Sequence, residues 1–233
     1  GSVKFAGIEG GLIRKARGSD GAKLLGWVHE PRTGDSSFFE TLTIRGSSVV
    51  ATGSAWTEGV DHSRNALIVK FDRRVQKKTS KEWGVGNKSE EWFNAAVIDG
   101  KGNVFVTGGQ GAQSKDHRAL TMKLDAKLKK VWSKTYKPVS RYAVGQYIAR
   151  DRAGNIYVGG YESNSAPQLP KGFLTIKYSA TGARKWARAW APKGGSVWIP
   201  AGLVLGSKGG VYVGGWIDSM GGVYQAVLLK YRR

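Results

Sequence analysis

The feature that most constrains the fold is a two-part motif that recurs five times along the 233 residues. Its first part is a β-branched or aromatic run ending in a glycine, at Gly7, Gly53, Gly108, Gly160 and Gly215. Its second part is an aliphatic run ending in a lysine, at Lys15, Lys70, Lys123, Lys177 and Lys230. Successive copies are about 53 residues apart, and a fixed period of this size is typical of a repeat architecture.

Two further segments occur four times each, and they complete the repeating unit. A Trp-bearing segment follows each of the first four lysines, and another apolar segment precedes each of the last four glycines. Each segment has the length and the β-branched or aromatic content of a strand, and none has a helical period. The Asp-x-x-Gly-Asn stretches at 99–103 and 151–155 predict tight hairpins, because Gly and Asn tolerate positive φ.

The sequence therefore predicts an all-β protein, a five-bladed β-propeller with four-stranded antiparallel blades. We name the strands of a blade A to D from the inside to the outside. The chain is expected to form one domain, 1–233, with repeats at about 3–29, 40–83, 94–136, 146–190 and 201–233. The inner A strands are expected near 40–45, 94–99, 146–150 and 201–205.

The two end repeats are incomplete, since the first lacks an A strand and the last lacks a D strand. Three outcomes stay open: a five-bladed ring with ragged ends, an additional strand from residues 16–22 or the N-terminus, or part of a larger propeller that another chain completes. Within a blade, the final glycine of the first motif is expected to let the backbone bend or approach a neighbour. The lysine is expected to face solvent and discourage edge pairing, and the Trp to pack between neighbouring sheets.

Composition indicates the kinds of partner. The chain has 37 Lys and Arg against 17 Asp and Glu, a net charge of +20, which favours an acidic glycan or another polyanion. Nucleic acid is less well supported, because no run of five basic residues occurs. The absence of cysteine excludes disulfides and thiol catalysis. No apolar run approaches the length of a membrane span, so we expect no transmembrane segment.

Ligands are expected on the face that the B–C and D–A loops form around the channel, which we call the loop face. Aromatic and basic side chains there suit stacking on sugars combined with charge attraction. These candidates are Trp56, Arg64, Trp92, Arg118, Arg141, Tyr142, Tyr161, Trp198 and Trp216. A polar ring at one level of the A strands adds Glu40, Asn94 and Gln146, with Ala201 at the fourth position.

No catalytic or metal-binding set is predicted. Only Glu40 lies where a propeller glycosidase would place a paired carboxylate, and no Gly-x-Ser-x-Gly turn occurs. His62 and His117 follow Asp61 and Asp116 in two similar loop endings, which we interpret as turn caps. Two histidines without a third partner make a poor metal site, so no metal and no cofactor are expected.

The stretches GNIYVGG and FLTIKYSATGARKWARAW resemble the SBBP-type β-propeller repeat of bacteria and archaea. The resemblance implies a protein exported to the periplasm, secreted or held at the cell surface, although the chain shows no signal peptide. We expect a non-catalytic binding or scaffold module that binds an acidic glycan or envelope polymer. Two alternatives stay open: a lyase, lactonase or glycosidase acting at the channel mouth, and an assembly piece that oligomerises through its incomplete end blades.

Overall fold

The computed structural model consists of strands and turns, and its described residues contain no helix. Those residues are 2–5, 8–16, 23–28, 36–56, 63–72, 74, 76–84, 89–112, 116–138, 141–163, 172–192, 196–197, 200–218 and 223–232. The all-β prediction is therefore confirmed for the part of the chain that the structure describes.

The strands follow the predicted order. A three-stranded sheet contains β1 (Ser2–Phe5), β2 (Ile8–Ala16) and β3 (Lys23–Val28). The next blade contains β4 (Ser36–Arg45), β5 (Ser48–Trp56), β6 (Arg64–Phe71) and β7 (Lys77–Trp83). The third contains β8 (Ser89–Ile98), β9 (Val104–Ala112), β10 (His117–Leu124) and β11 (Lys130–Tyr136). The fourth contains β12 (Tyr142–Arg150), β13 (Ile156–Ser163), β14 (Gly172–Tyr178) and β15 (Arg184–Trp190). The last sheet contains β16 (Ser196–Val197), β17 (Gly202–Leu205), β18 (Gly210–Asp218) and β19 (Tyr224–Arg232).

Neighbouring blades contact one another through their A strands. The A strand β4 contacts β8, β8 contacts β12, and β12 contacts β17, while β2 lies against β4. The start of each C strand also pairs with the start of the next A strand, at Arg64 with Glu90 and at His117 with Tyr142. These two parallel bridges join the three complete blades into one 12-stranded sheet. The described strands close no barrel, so the count of five blades stays a prediction.

Alternate residues of each strand enter different cores, as the period of two in a β-strand requires. In the β4–β7 blade, Val50 and Ile68 pack toward the next blade, in a cluster with Phe93, Val106 and Leu120. Their neighbours in the chain, Val49, Ala51, Leu67 and Val69, form a different cluster with Phe71 on the other side of the same blade. Both faces of this blade are therefore buried, and the blade depends on a neighbouring sheet on each side for its stability.

The D-strand tryptophans pack between sheets, as predicted. The Trp132 ring centroid lies 6.2 Å from that of Phe105 in its own blade and 6.3 Å from that of Tyr178 in the next. Trp186 bridges Tyr157 and Tyr231 in the same way, at 6.3 and 5.9 Å.

The prediction that the motif lysine protects a sheet edge was wrong for the three complete blades, because their C strands have a D strand outside them. Lys123 and Lys177 instead lie 5.4 Å from the ring centroids of Phe105 and Tyr157, their direct partners on the B strand. The partner of Lys70 is Val50, and its Nζ donates across the blade boundary to the carbonyl oxygen of Ala126 at 2.8 Å. The lysine therefore stabilises the sheet face and, in one blade, the contact with the next.

Candidate functional site

The predicted candidates with described side chains gather where B strands end and C strands begin. Trp56 ends β5 and Arg64 begins β6, and the two residues are direct partners in the antiparallel pair. Arg64 also pairs with Glu90 near the start of β8. The register therefore places residues from two blades side by side on the loop face.

Arg64 occupies the centre of this group. Its guanidinium carbon lies 5.1 Å from the ring centroid of Trp56 and 4.8 Å from that of Trp92. One terminal nitrogen lies 3.8 Å from Oε1 of Glu40, an ion-pair distance too long for a hydrogen bond. Burial lowers the pKa of Arg64, and the charges of Glu40 and Glu90 act against that shift. The arginine stays cationic because its ordinary pKa is far above neutral.

The Arg64 guanidinium keeps one donor, Nε, without an acceptor among the described residues. This nitrogen is buried. The side chain as a whole is 19% exposed, whereas that of Glu40 is 44% exposed. The structure thus shows a cation held between two indoles, next to a carboxylate that solvent reaches.

His117 continues the aromatic row into the next two blades. Its ring packs edge-on against Trp92 and against Tyr142, each at 5.3 Å between centroids. Its Nε2 lies 3.3 Å from Oε2 of Glu90, a contact that becomes an ion pair only when the imidazole is protonated. Burial lowers the pKa of His117, an effect that outweighs the opposite influence of Glu90, so the imidazole is neutral at pH 7.

Two glycines on β9 make room for this row. A Cβ on Gly109 would overlap the Trp92 ring, and a Cβ on Gly111 would overlap the imidazole of His117. The glycines after the β-branched run therefore serve the loop face as well as the strand.

The charged groups at the outer side of the row are paired. Arg141 donates from Nε to Oδ1 of Asp116 at 2.9 Å, and its guanidinium carbon lies 6.0 Å from the Tyr142 centroid. The hydrogen bond from Arg141 lowers the pKa of Asp116. The structure places the Asp116 carboxylate against Arg141. The turn that Asp116 was predicted to cap includes residues 113–115, which lie outside the described residues, so the cap stays a prediction. Arg118, one residue after His117, is exposed.

The predicted polar ring lies at three β-bulges. The register shifts between Phe39 and Thr41, between Phe93 and Ala95, and between Gly145 and Tyr147. The residues left over at these shifts are Glu40, Asn94 and Gln146, which confirms that they occupy equivalent positions. The Asn94 side chain donates to the carbonyl oxygen of Gly145 at 2.8 Å, so this residue ties one A strand to the next. Ala201 lies just before β17, and its N–H donates to the carbonyl oxygen of Gly214.

The remaining candidates are distributed unevenly. Trp216 near the end of β18 is 48% exposed, whereas Trp92 and Tyr142 are buried. Tyr161 is partly buried, and burial raises the pKa of its phenol. Trp198, Asp61 and His62 lie outside the described residues. In the described part of the chain, the loop face thus combines one widely exposed indole with an aromatic row that is mostly covered.

Sequence reasoning missed two carboxylates. The inner strand β8 begins at Ser89 instead of near residue 94, so Glu90 and Glu91 belong to the strand and not to the preceding loop. Glu40 is therefore not the only carboxylate on the inner strands, contrary to the expectation, although Glu90 and Glu91 lie closer to the start of their strand than the bulge does. Glu91 is only 2% exposed, and its Oε2 accepts from the Ser89 hydroxyl at 3.1 Å. The first three residues of the strand, Ser-Glu-Glu, are polar, so no apolar residue marks its start in the sequence.

The described residues contain no group of three or more His, Cys, Asp or Glu side chains placed to hold a metal ion. None of them belongs to a helix with the length and apolar character that a bilayer span requires.

The chain matches no protein-family model and no curated protein. It is similar to several solved structures at low sequence identity. The subtype N11 neuraminidase-like protein of A/flat-faced bat/Peru/033/2010 (H18N11) is 11% identical with a TM-score of 0.52, over 94% of this chain and 66% of that one. A protein of unknown function from Bacteroides caccae is 9% identical with a TM-score of 0.49, over 93% and 72% of the two chains. The GH43 endo-arabinanase from Bacillus licheniformis is 11% identical with a TM-score of 0.42, over 83% and 72%.

The chain spans slightly less than two thirds of the neuraminidase-like protein, which is a β-propeller. That likeness concerns the fold alone. Together with A strands that contact one another in sequence and sheets that are buried on both faces, it shows that this chain has a propeller-like all-β fold.

Proposed function

We propose that this protein is a carbohydrate-binding propeller module whose loop face binds a sugar beside Arg64. The observation that carries the proposal is the guanidinium held between Trp56 and Trp92. Its Nε is buried and donates no hydrogen bond to any described group. Aromatic rings and a fixed donor are the groups that sugar sites combine, the first for the apolar ring face and the second for hydroxyl or carboxylate oxygens.

The acidic character of the glycan, expected from the net charge, is the less supported part of this proposal. On the described loop face Arg64 lies near Glu40 and Glu90, and Arg141 is paired with Asp116. These cations are largely compensated, so the proposed site suits a neutral sugar as well as a uronic acid.

Tryptophan fluorescence and calorimetric titration with neutral and uronic oligosaccharides test the proposal. We expect at least one sugar to bind and Arg64→Gln to weaken it about tenfold or more, because a charge-assisted hydrogen bond is lost. Arg152→Gln is the matched control, since this exposed arginine lies in the turn between β12 and β13 at the opposite end of the blade. Equal binding by both variants, or no binding to any sugar in the panel, would contradict the proposal.

An enzymatic function is the second candidate, and the finding that favours it is the pair of carboxylates around Arg64. Both Glu40 and Glu90 act on the guanidinium, and Glu90 also lies 3.3 Å from His117. Glycosidases use two carboxylates, one as acid and one as base or nucleophile. Turnover of a glycoside panel that Glu40→Gln and Glu90→Gln each abolish would establish this function. Binding without turnover in the wild-type protein would reject it.

We further propose that the chain is a member of the SBBP-type repeat proteins, exported to the periplasm or cell surface, with five blades. The support for five blades is the fivefold motif and the regular succession of contacts from β2 to β17. Light scattering separates this arrangement from an assembly piece. A monomer is expected for a self-contained ring, and a stable oligomer would favour completion of the end blades by a second chain.

A further inference from the structure

The positive charge is concentrated in the later part of the chain. After Asp125 the sequence contains 18 of the 37 Lys and Arg residues but only three of the 17 Asp and Glu residues, namely Asp151, Glu162 and Asp218. Residues 126–233 therefore carry a net charge of +15 out of the total of +20. A field of one sign over half of a domain indicates a surface for an anionic partner more than an even solubilising charge.

Six exposed cations of this region lie on the two D strands β11 and β15 or, for Lys137, directly after β11. They are Lys130, Lys134, Lys137, Arg184, Lys185 and Arg188, which we call the basic rim. Four of these cations occupy equivalent positions in the two blades. Lys130 and Arg184 form the first such pair, since each lies opposite the last residue of its C strand, Leu124 or Tyr178.

The same register places Lys134 opposite Thr121 and Arg188 opposite Thr175. Each of the two blades thus presents two cations at matching heights on its outer strand, and the positions repeat from blade to blade.

The two outer strands belong to one continuous surface. The guanidinium carbon of Arg184 lies 5.4 Å from the ring centroid of Tyr136, the last residue of β11. Trp132 of β11 donates from its indole nitrogen to the carbonyl oxygen of Ala180, in the turn before β15, at 3.4 Å. A single extended ligand can therefore cross from one column of cations to the other.

The described residues compensate little of the charge of the basic rim. Among the described residues, no salt bridge includes any of its six cations. The nearby carboxylates hydrogen-bond other groups: Asp116 accepts from Arg141, and Glu162 accepts from the Tyr136 hydroxyl at 2.9 Å. Of the rim cations, Lys137 acts on Asp116 through its charge, without a salt bridge between the two. Burial and this bond to Glu162 raise the pKa of Tyr136 to about 12, so the tyrosine stays neutral.

Protection of the outer edge against aggregation does not account for this pattern. Charged side chains, lysine in particular, block edge pairing, but the outer strand β7 shows that an edge can carry both signs, at Lys81 and Glu82. In contrast, β11 and β15 have no acidic residue. The selection of one sign on two neighbouring outer strands is the feature that requires a further explanation.

We propose that the basic rim binds a flexible, densely charged linear polyanion of the phosphate-backbone type. Charge complementarity identifies the class, since exposed lysines and arginines without acidic partners bind phosphate oxygens as point charges and forks. A flexible chain is favoured over a flat bilayer because the cations form two columns on strands of separate blades, and a chain can contact one column after the other. This surface is distinct from the sugar site proposed on the loop face.

Titration of the whole protein with fluorescently labelled linear polyphosphate over a range of salt concentrations tests the inference. Two triple variants remove the rim charges, Lys130→Gln/Lys134→Gln/Lys137→Gln and Arg184→Gln/Lys185→Gln/Arg188→Gln. Each is expected to weaken binding at least tenfold at low salt and to reduce the slope of log affinity against log salt by about 2, because three phosphate contacts are lost. All six side chains are exposed, so the fold is expected to survive, and circular dichroism checks this.

The matched control is Arg45→Gln/Lys101→Gln/Lys208→Gln, which removes the same charge from exposed residues at the A–B hairpins. An equal loss of polyphosphate affinity in this control would show that only the net charge of the protein matters, and it would overturn the inference. Binding to vesicles that contain anionic lipid without binding to polyphosphate would overturn it in favour of a membrane. Binding to single-stranded DNA tenfold tighter than to polyphosphate would overturn it in favour of base recognition. Arg64→Gln is expected to leave polyphosphate binding unchanged, which separates this surface from the sugar site.

Discussion

Gly108 on β9 lies against the backbone carbonyl of Trp92, at the bulge of the neighbouring A strand. A Cβ on Gly108 would overlap this carbonyl oxygen, and the same holds for Gly53 with Phe38 and Gly160 with Val144. The bulge that presents Glu40, Asn94 and Gln146 thus brings the A-strand backbone too close to the B strand for any side chain. This explains why three of the repeated motifs end in glycine.

Gly108→Ala is therefore expected to destabilise the protein by about 1–3 kcal/mol or more, because a rigid backbone neighbour must move. Urea denaturation measures the change in the free energy of unfolding. The matched control is Gly202→Ala on the inner strand β17, where an added Cβ would meet nothing within 4 Å. This variant is expected to change stability by less than about 1 kcal/mol. Equal effects of the two substitutions would show that the bulge does not require glycine.

The strands and their order could be predicted well from the sequence because the copies of the repeat can be compared with one another. Each segment occurs four or five times, so the strands that contain Val50 and Ile68 could be recognised by features that the other copies share. The hairpin at Asp99 and the packing of Trp132 followed from turn chemistry and side-chain size, and the structure confirms both.

Predictions failed where the relevant contact lies outside the local sequence. The beginning of β8 at Ser89 depends on pairing with Gly111 and Ala112 on β9 and on the bridge from Arg64, and no local pattern encodes either. The fate of Lys70 likewise depends on a carbonyl of the next blade. Arg64 and the two tryptophans were each predicted as candidates, but the sequence did not indicate that the guanidinium lies between the two indoles.

Trp132 is expected to be a major contributor to the contact between the third and fourth blades. Replacement by alanine removes its packing on Phe105 and Tyr178 and its hydrogen bond to Ala180. We expect a loss of about 2–4 kcal/mol, somewhat below the value for a fully buried tryptophan, because the ring is partly exposed.

Val131→Ala provides the control for Trp132→Ala, since Val131 is the preceding residue on the same strand and is 54% exposed. Its expected effect is within about 0.5 kcal/mol. Thermal and urea denaturation of the two variants measure the difference. A tryptophan variant as stable as the valine variant would contradict packing between blades.

The pH dependence of stability is expected to include a contribution from His117. Its pKa is lowered in the folded protein from 6.5, first because of burial and also because of the charge of Arg64, against the raising effects of Glu90 and of the Ala112 backbone. The unfolded chain therefore takes up a proton at higher pH than the folded protein does. The free energy of unfolding should fall as the pH decreases through about 6.5, and this loss should level off below the folded pKa.

The measurement compares the free energy of unfolding at about pH 7.5 and about pH 5.5 in the wild-type protein and in His117→Gln. The variant is expected to lose less stability over this range, whatever its absolute stability. His29 and His62 are present in both proteins, so their contributions cancel. An identical pH dependence would show that His117 titrates alike in the folded and unfolded states.

Asp99 is expected to stabilise its hairpin more than Asp125 stabilises the corresponding C–D turn. In both turns Oδ1 accepts two backbone N–H groups, at 2.9 Å from Lys101 and Asn103 and at 2.8 Å from Lys127 and Lys129. The bonds of Asp99 are partly buried, and its second oxygen also accepts from the Asn103 side chain at 2.8 Å. The two bonds of Asp125 are exposed, so water replaces them more readily. We therefore expect Asp99→Ala to cost about 2 kcal/mol and Asp125→Ala about 1 kcal/mol or less. Urea denaturation of both variants measures this order, and its reversal would show that burial of the turn does not set the strength of these bonds.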